Sequence, residues 1–117
     1  MNDVVTTSVL LFSYGTLQHK EVQLAQFGRE LVGREDAILG YEQSMLAIQD
    51  PEIVALSGKT HHPILRPSTN PKQEILGIVF DITEDELHAA DAYEVDEYKR
   101  VLVPLKSGLH AWVYVSI

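Results

Sequence analysis

The sequence predicts an α+β fold in which strands dominate and two helices interrupt them, within one domain spanning residues 1–117. Three observations carry that expectation. Over Glu74 to Ile82, Leu76, Ile78, Phe80 and Ile82 alternate with Gly77, Val79 and Asp81, the period-two pattern of a half-buried strand. Immediately afterwards, Thr83-Glu84-Asp85-Glu86 has the form of a capping box, in which the threonine hydroxyl takes an orphan backbone N–H and the glutamate reaches back to the cap, so a helix starts at Glu84. At the far end, Tyr98 to Leu105 and Leu109 to Ile117 are β-rich runs on either side of Lys106-Ser107-Gly108, as in a hairpin.

The remaining elements follow in chain order. Val9 to Tyr14 is a short apolar, β-favouring run ending in Tyr-Gly, which predicts a buried strand and a tight turn. Gln18 to Phe27 consists mostly of good helix formers, with Leu24, Phe27 and Leu31 at i, i+3 and i+7 and Gly28 available as a C-terminal stop. Ala37 to Ile48 is apolar around Gly40, consistent with a strand broken or kinked at the glycine. Four of the five prolines fall between Pro51 and Lys72, which predicts a loop-rich, mobile segment with one short extended piece at Ile64-Leu65. This middle segment is expected to pack over one face of the strands.

Composition narrows the function classes. An apolar fraction of 45% with 22% charged residues describes a soluble globular domain with a defined core. A formal net charge of −8, with only nine Lys and Arg spread along the chain, disfavours a nucleic-acid partner and points to small molecules or proteins. The chain has no cysteine, which removes disulfides, a thiolate nucleophile and thiolate metal sites, and suits a reducing compartment. No apolar run has the length of a membrane span and the start lacks a basic n-region, so the expectation is a cytoplasmic protein with no membrane partner.

Two constellations can carry chemistry. On the helix from Glu84, Leu87, Ala90, Asp91 and Glu94 lie at i, i+3, i+4 and i+7, along one face. With Leu87 and Ala90 turned to the core, the Glu94 carboxylate is aimed at the interior or a pocket beside it, where burial would raise its pKa toward the range of a general acid/base. The plainer alternative is a solvated acidic helix end, since Asp81 to Glu97 holds eight Asp and Glu residues. The second constellation is Tyr14-Gly15-Thr16-Leu17, where glycine allows a sharp turn that exposes consecutive N–H groups to a carboxylate or amide oxygen. Its plainer alternative is a strand-to-helix turn, with Gly15 serving geometry and Thr16 capping the helix.

Other residues carry less. His61 and His62 are adjacent and cannot share one face, so a metal site is not expected, and His19, His88 and His110 are scattered. No phosphate-binding glycine loop, zinc-protease helix motif or G-x-S-x-G elbow is present in the sequence. Trp112 and Tyr114, alternating with Ala111 and Val113, are expected to pack on a sheet face.

Taken together, Leu11-Phe12-Ser13-Tyr14-Gly15-Thr16-Leu17 and the later Ala90-Asp91-Ala92-Tyr93-Glu94 followed by Tyr98-Lys99-Arg100 resemble the γ-glutamylcyclotransferase-like (AIG2-like) family. Gly40-Tyr41, Pro63-Ile64, Leu76-Gly77-Ile78-Val79-Phe80 and Ala111-Trp112-Val113-Tyr114-Val115 extend the resemblance over nearly the whole chain. The resemblance implies a small mixed β-barrel with flanking helices and a pocket at one barrel mouth. It implies that Tyr14, Gly15, Thr16 and Leu17 bind the γ-glutamyl part of a substrate, that Glu94 is the catalytic residue, and that Tyr98 and Arg100 shape the pocket wall. At i and i+2 of one strand, those last two could equally show a shared face to solvent or core.

The reaction so implied is intramolecular and needs no cofactor. The α-amine of a γ-glutamyl amine or γ-glutamyl amino acid attacks its own γ-carbonyl, giving 5-oxoproline and a free amine. Three departures from the family pattern leave the substrate open: Gln18 replaces a basic residue or methionine, Val95 follows Glu94 where glycine is common, and Ala90 replaces leucine. A competing expectation is a non-catalytic module that holds a small metabolite in the same pocket. A third is a structural or interaction domain with an exposed apolar patch.

Overall fold

The computed structural model describes residues 8–47, 61–93 and 98–117, together with positions 51 and 55. The described elements are β1 (Ser8–Ser13), a 3-10 turn (Thr16–Gln18), α1 (Lys20–Phe27), β2 (Val32–Leu39), β3 (Tyr41–Ala47), β4 (His61–Pro67), β5 (Glu74–Thr83), α2 (Glu84–Tyr93), β6 (Tyr98–Pro104) and β7 (His110–Ser116).

Five strands form one sheet in the order β2-β5-β1-β7-β6. β1 runs antiparallel to β5 and parallel to β7, with Leu11 opposite Trp112, so the sheet is mixed. Its two edge strands do not stay apart. Ile38 of β2 makes an antiparallel bridge to Leu105 just past β6, and the Lys106 N–H donates to the Ala37 carbonyl at 2.8 Å. The sheet thus curls until its edges meet, a mixed barrel that leaves less unpaired backbone than an open sheet would. Asp36 reinforces the seam: its carboxylate accepts the Ala37 N–H at 2.8 Å, the Ser107 N–H at 3.2 Å and the Ser107 hydroxyl at 2.5 Å.

The central strands are covered on both faces. Inside the barrel Phe12, Ile38, Val79, Val113 and Val115 pack together. On the outer face Leu11, Phe80, Ile82 and Tyr114 pack with Leu87 and Ala90 of α2. Neighbouring residues of one strand therefore serve two cores, which is why the Leu10-Leu11-Phe12 run shows no polar alternation. Gly77 is required by proximity, since a Cβ there would stand 2.3 Å from the Ser13 carbonyl oxygen and 2.6 Å from Phe12 Cζ.

The capping box forms as the sequence predicts: the Glu86 N–H donates to Thr83 Oγ1 at 3.1 Å and the Thr83 N–H to Glu86 Oε1 at 2.8 Å. The Arg29 guanidinium grips the same carboxylate with two 2.7 Å bonds, tying the chain beyond α1 to the start of α2. The hairpin of β6 and β7 is present, with Gly108 at φ 95° in its turn. Gly40, at φ 79°, separates β2 from β3 where a break or kink is expected.

Two expectations change. The extended piece at Ile64-Leu65 belongs to a seven-residue strand, β4, paired antiparallel with β3 from Tyr41–Pro67 to Ala47–His61. Pro63 and Pro67 are compatible with it because β4 has a single partner in its two-stranded sheet, so missing N–H donors can face away from the ladder. Of the mobile segment expected between Pro51 and Lys72, residues 52–54 and 56–60 lie outside the described residues, as does Ile48. In α1, Leu24 is 45% exposed and Gln23 is only 4% exposed, so the buried stripe is rotated from the one that hydrophobicity marks. A glutamine can occupy that place because both ends of its amide are hydrogen-bonded.

Candidate functional site

β1 ends at Ser13, and the chain turns through Tyr14 and Gly15 into the 3-10 turn, closed by the Gln18 N–H donating to the Gly15 carbonyl at 3.2 Å. Tyr14 follows Leu10 and Phe12 on the inward face of β1 and packs against the barrel core. Its hydroxyl donates to the Tyr114 carbonyl of β7 at 2.6 Å. Gln18 braces the turn from outside, its amide nitrogen donating to the Ser13 carbonyl at 2.8 Å. The Gly15 N–H makes a long 3.3 Å bond to Ser13 Oγ.

Gly15 meets neither demand that usually fixes a glycine. Its φ is not positive, and among the described residues a Cβ at this position would touch only Pro63 Cγ, at an ordinary 3.5 Å. The geometric reason expected for this glycine, a turn only it could make, is therefore absent. Leu17 is held from α1: Gln23 donates through Nε2 to the Leu17 carbonyl at 2.8 Å and accepts the Leu31 N–H on Oε1 at 2.8 Å.

Tyr98 comes to the same place from β6. Its hydroxyl donates to the Pro63 carbonyl at 2.5 Å, so Tyr98 and Gly15 meet the same residue of β4. Arg100, two residues further on along the same face, is engaged with α2. It forms a two-pronged pair with Asp91 at 2.8 and 2.9 Å, and its guanidinium lies 4.3 Å from the centre of the Trp112 ring.

On α2, Leu87 and Ala90 are buried as the stripe predicts, at 4% and 2% exposure. Asp91 joins them by polar contacts, taking the Tyr114 hydroxyl at 2.7 Å beside Arg100. Burial works to raise the Asp91 carboxyl, but the hydrogen bonds from Arg100 and Tyr114 outweigh it and hold it below the usual carboxylate range. Tyr114 thus serves both constellations, its carbonyl taking Tyr14 and its hydroxyl reaching α2. Glu94 lies outside the described residues, as do the side chains of Thr16 and Tyr93.

Tyr14, Gly15, the backbone of Thr16 and Leu17 follow one another around the turn, Tyr14 packing against the inner core and Leu17 and Tyr98 against the outer one; Pro63 links Tyr98 to Gly15, and Arg100 fastens α2. Sequence reasoning passed over Gln23, Pro63 and the anchoring part played by Asp91. Only Asp91 had a signal, its place on the Leu87–Glu94 stripe. Among the described residues no group of three or more His, Cys, Asp and Glu could hold a metal ion. Among them, too, no helix is long and apolar enough to cross a membrane.

The class of domain so defined is a small mixed barrel, flanked by helices and carrying a glycine-containing loop at the end of its first strand. More narrowly, the chain belongs to the gamma-glutamyl cyclotransferase, AIG2-like family, whose model matches residues 11–116. Among solved structures it is similar to an Arabidopsis thaliana protein determined in solution, at 25% identity and TM-score 0.73, covering 98% of this chain and 72% of that one. A gamma-glutamyl cyclotransferase shares the fold at 14% identity and TM-score 0.73, over 95% of this chain and 68% of that one. An uncharacterized Homo sapiens protein does so at 18% identity and TM-score 0.71, over 94% and 67%. No curated protein matches the chain.

Proposed function

We propose that the protein is a γ-glutamylcyclotransferase-type enzyme, converting a γ-glutamyl amine or γ-glutamyl amino acid to 5-oxoproline and a free amine. The observation that carries this reading is Gly15: its φ is not positive and, among the described residues, only Pro63 Cγ stands beside its missing Cβ, at 3.5 Å, which supports a place where a ligand approaches the loop backbone closely. The N–H groups of Thr16 and Leu17 open the 3-10 turn, where no carbonyl of the turn itself accepts them, and in this reading they hold a substrate carboxylate or a developing oxyanion. The long Gly15 bond to Ser13 can be exchanged for a shorter one to the same ligand.

In this mechanism Glu94 takes a proton from the substrate α-ammonium. The freed amine forms a bond to the γ-carbonyl carbon, and the tetrahedral intermediate places its negative charge on oxygen beside the loop N–H groups. Collapse breaks the bond from that carbon to the departing nitrogen, which receives a proton from Glu94, while the second proton of the new ring nitrogen passes through the freed Glu94 carboxylate to the released amine, leaving neutral lactam nitrogen and an ammonium product. Nucleophile and electrophile belong to one molecule, so holding the chain folded supplies on the order of 7–11 kcal/mol of the barrier lowering. Tyr98 contributes a wall through its bond to Pro63, and Arg100 acts indirectly by fixing Asp91, three residues before Glu94.

The test is to incubate the purified protein with a panel of γ-glutamyl amines, γ-glutamyl amino acids and glutathione and to follow 5-oxoproline by mass spectrometry. Product from at least one panel member is expected. Saturable binding of a panel member without any product would instead favour the metabolite-holding module.

A further inference from the structure

Gln23 is a polar side chain in the outer core, 4% exposed, at a helix position where hydrophobicity would put Leu24. Its amide spans two backbone segments, with Nε2 on the Leu17 carbonyl and Oε1 on the Leu31 N–H, both at 2.8 Å. Burying an amide is unfavourable unless both ends are bonded, and an apolar side chain would fill the same volume without that requirement. The arrangement therefore needs a reason beyond packing.

Leu17 supplies one. Its carbonyl belongs to the peptide unit whose N–H, that of Gln18, closes the turn on Gly15. A donor fixed on that carbonyl sets the tilt of this planar unit and, through it, the direction of the N–H groups one and two residues earlier. Gln23 is itself held by Leu31, where the chain passes from α1 into β2, so the loop is referenced to the barrel wall rather than to α1 alone.

Building on the cyclotransferase reading, we propose that Gln23 is a positioning residue for the substrate loop, setting the orientation of the Tyr14–Leu17 backbone through the Leu17 carbonyl. Gln23→Glu separates the two ends of the amide. The substituted carboxylate still accepts the Leu31 N–H but cannot donate to Leu17. Amide hydrogen exchange followed by NMR is expected to show the Gln18 amide about tenfold faster than in the parent, with Leu31 and the core amide of Val113 unchanged. In parallel, KM for a turned-over γ-glutamyl amine is expected to rise about tenfold while kcat stays within about twofold.

An unchanged Gln18 amide, or a uniform acceleration across Gln18, Leu31 and Val113, would overturn the proposal. So would a fall in kcat with KM unaltered. If Gln23→Glu fails to fold, Gln23→Met, which fills the space with no polar atom, must loosen both Gln18 and Leu31 while sparing Val113. Should the parent yield no 5-oxoproline from any substrate, the cyclotransferase reading fails, and the exchange pattern still decides whether Gln23 holds the loop.

Discussion

The seam that closes the barrel and the loop that follows β1 are built in opposite ways. At the seam, backbone pairs with backbone, Ile38 with Leu105 and Lys106 with Ala37, and one carboxylate adds three bonds on top. At the loop, single side-chain atoms from separate elements do the holding: Gln18 on Ser13, Gln23 on Leu17 and the Tyr14 hydroxyl on β7. A seam of the first kind serves stability and should be indifferent to ligand. In the proposed function a loop of the second kind offers N–H groups to a ligand, so its defects should appear in ligand handling before they appear in stability.

The sharpest way to break that contrast is Gly15→Ala. Among the described residues an added methyl meets only Pro63, at 3.5 Å, and it requires no strained φ, so stability should stay within about 0.5 kcal/mol of the parent by urea unfolding. The same methyl stands where substrate must approach the backbone, and kcat/KM should fall about a hundredfold or more. A large loss of stability would return Gly15 to a purely structural role.

Asp36→Ala should do the reverse, lowering stability by about 1–2 kcal/mol as the Ser107 and Ala37 donors lose their acceptor, with KM unchanged. Burial tends to raise the Asp36 carboxyl, but its bonds from Ser107 and Ala37 prevail and keep it below the ordinary value. A depressed native pKa gives stability that is fully present above the unfolded value of about 3.9 and is lost as pH falls through the native one. The difference between parent and Asp36→Ala should therefore be constant above about pH 5 and shrink below about pH 4.

Asp91→Asn is the smallest of these effects and acts from α2, through Tyr114, whose carbonyl also takes Tyr14. The Asp91 side chain is 37% exposed, so its pair with Arg100 is partly screened and its loss should cost about 0.5–1 kcal/mol. Because Asp91 fastens the end of α2 that leads to Glu94, kcat should drop several-fold, measured as 5-oxoproline release at saturating substrate.

Much of this architecture is legible in the sequence because its signals are local. Thr83 and Glu86 are three residues apart and cap α2 as the motif requires, and Gly28 ends α1 at φ 72° with its N–H on the Leu24 carbonyl. What escapes reading depends on distant partners. Asp36 and Ser107 are 71 positions apart, and nothing near either announces the seam. Pro63 and Pro67 argue against a strand until β3 supplies a partner on one side only. Gln23 is polar and Leu24 apolar, yet their burial is reversed because the Leu17 carbonyl and Leu31 N–H satisfy the amide. At the site, the motif order names the loop, but only tertiary geometry reveals that Gly15 is not needed for the turn.

In the proposed reaction this loop and Glu94 together cyclise a γ-glutamyl compound. Its most direct test measures 5-oxoproline and released amine side by side for the parent chain and Glu94→Gln, on the best substrate of the panel. Equal amounts of both products are expected from the parent, and a loss of about 10²–10⁴-fold in Glu94→Gln with the fold retained. Undiminished, equimolar product from Glu94→Gln would contradict it.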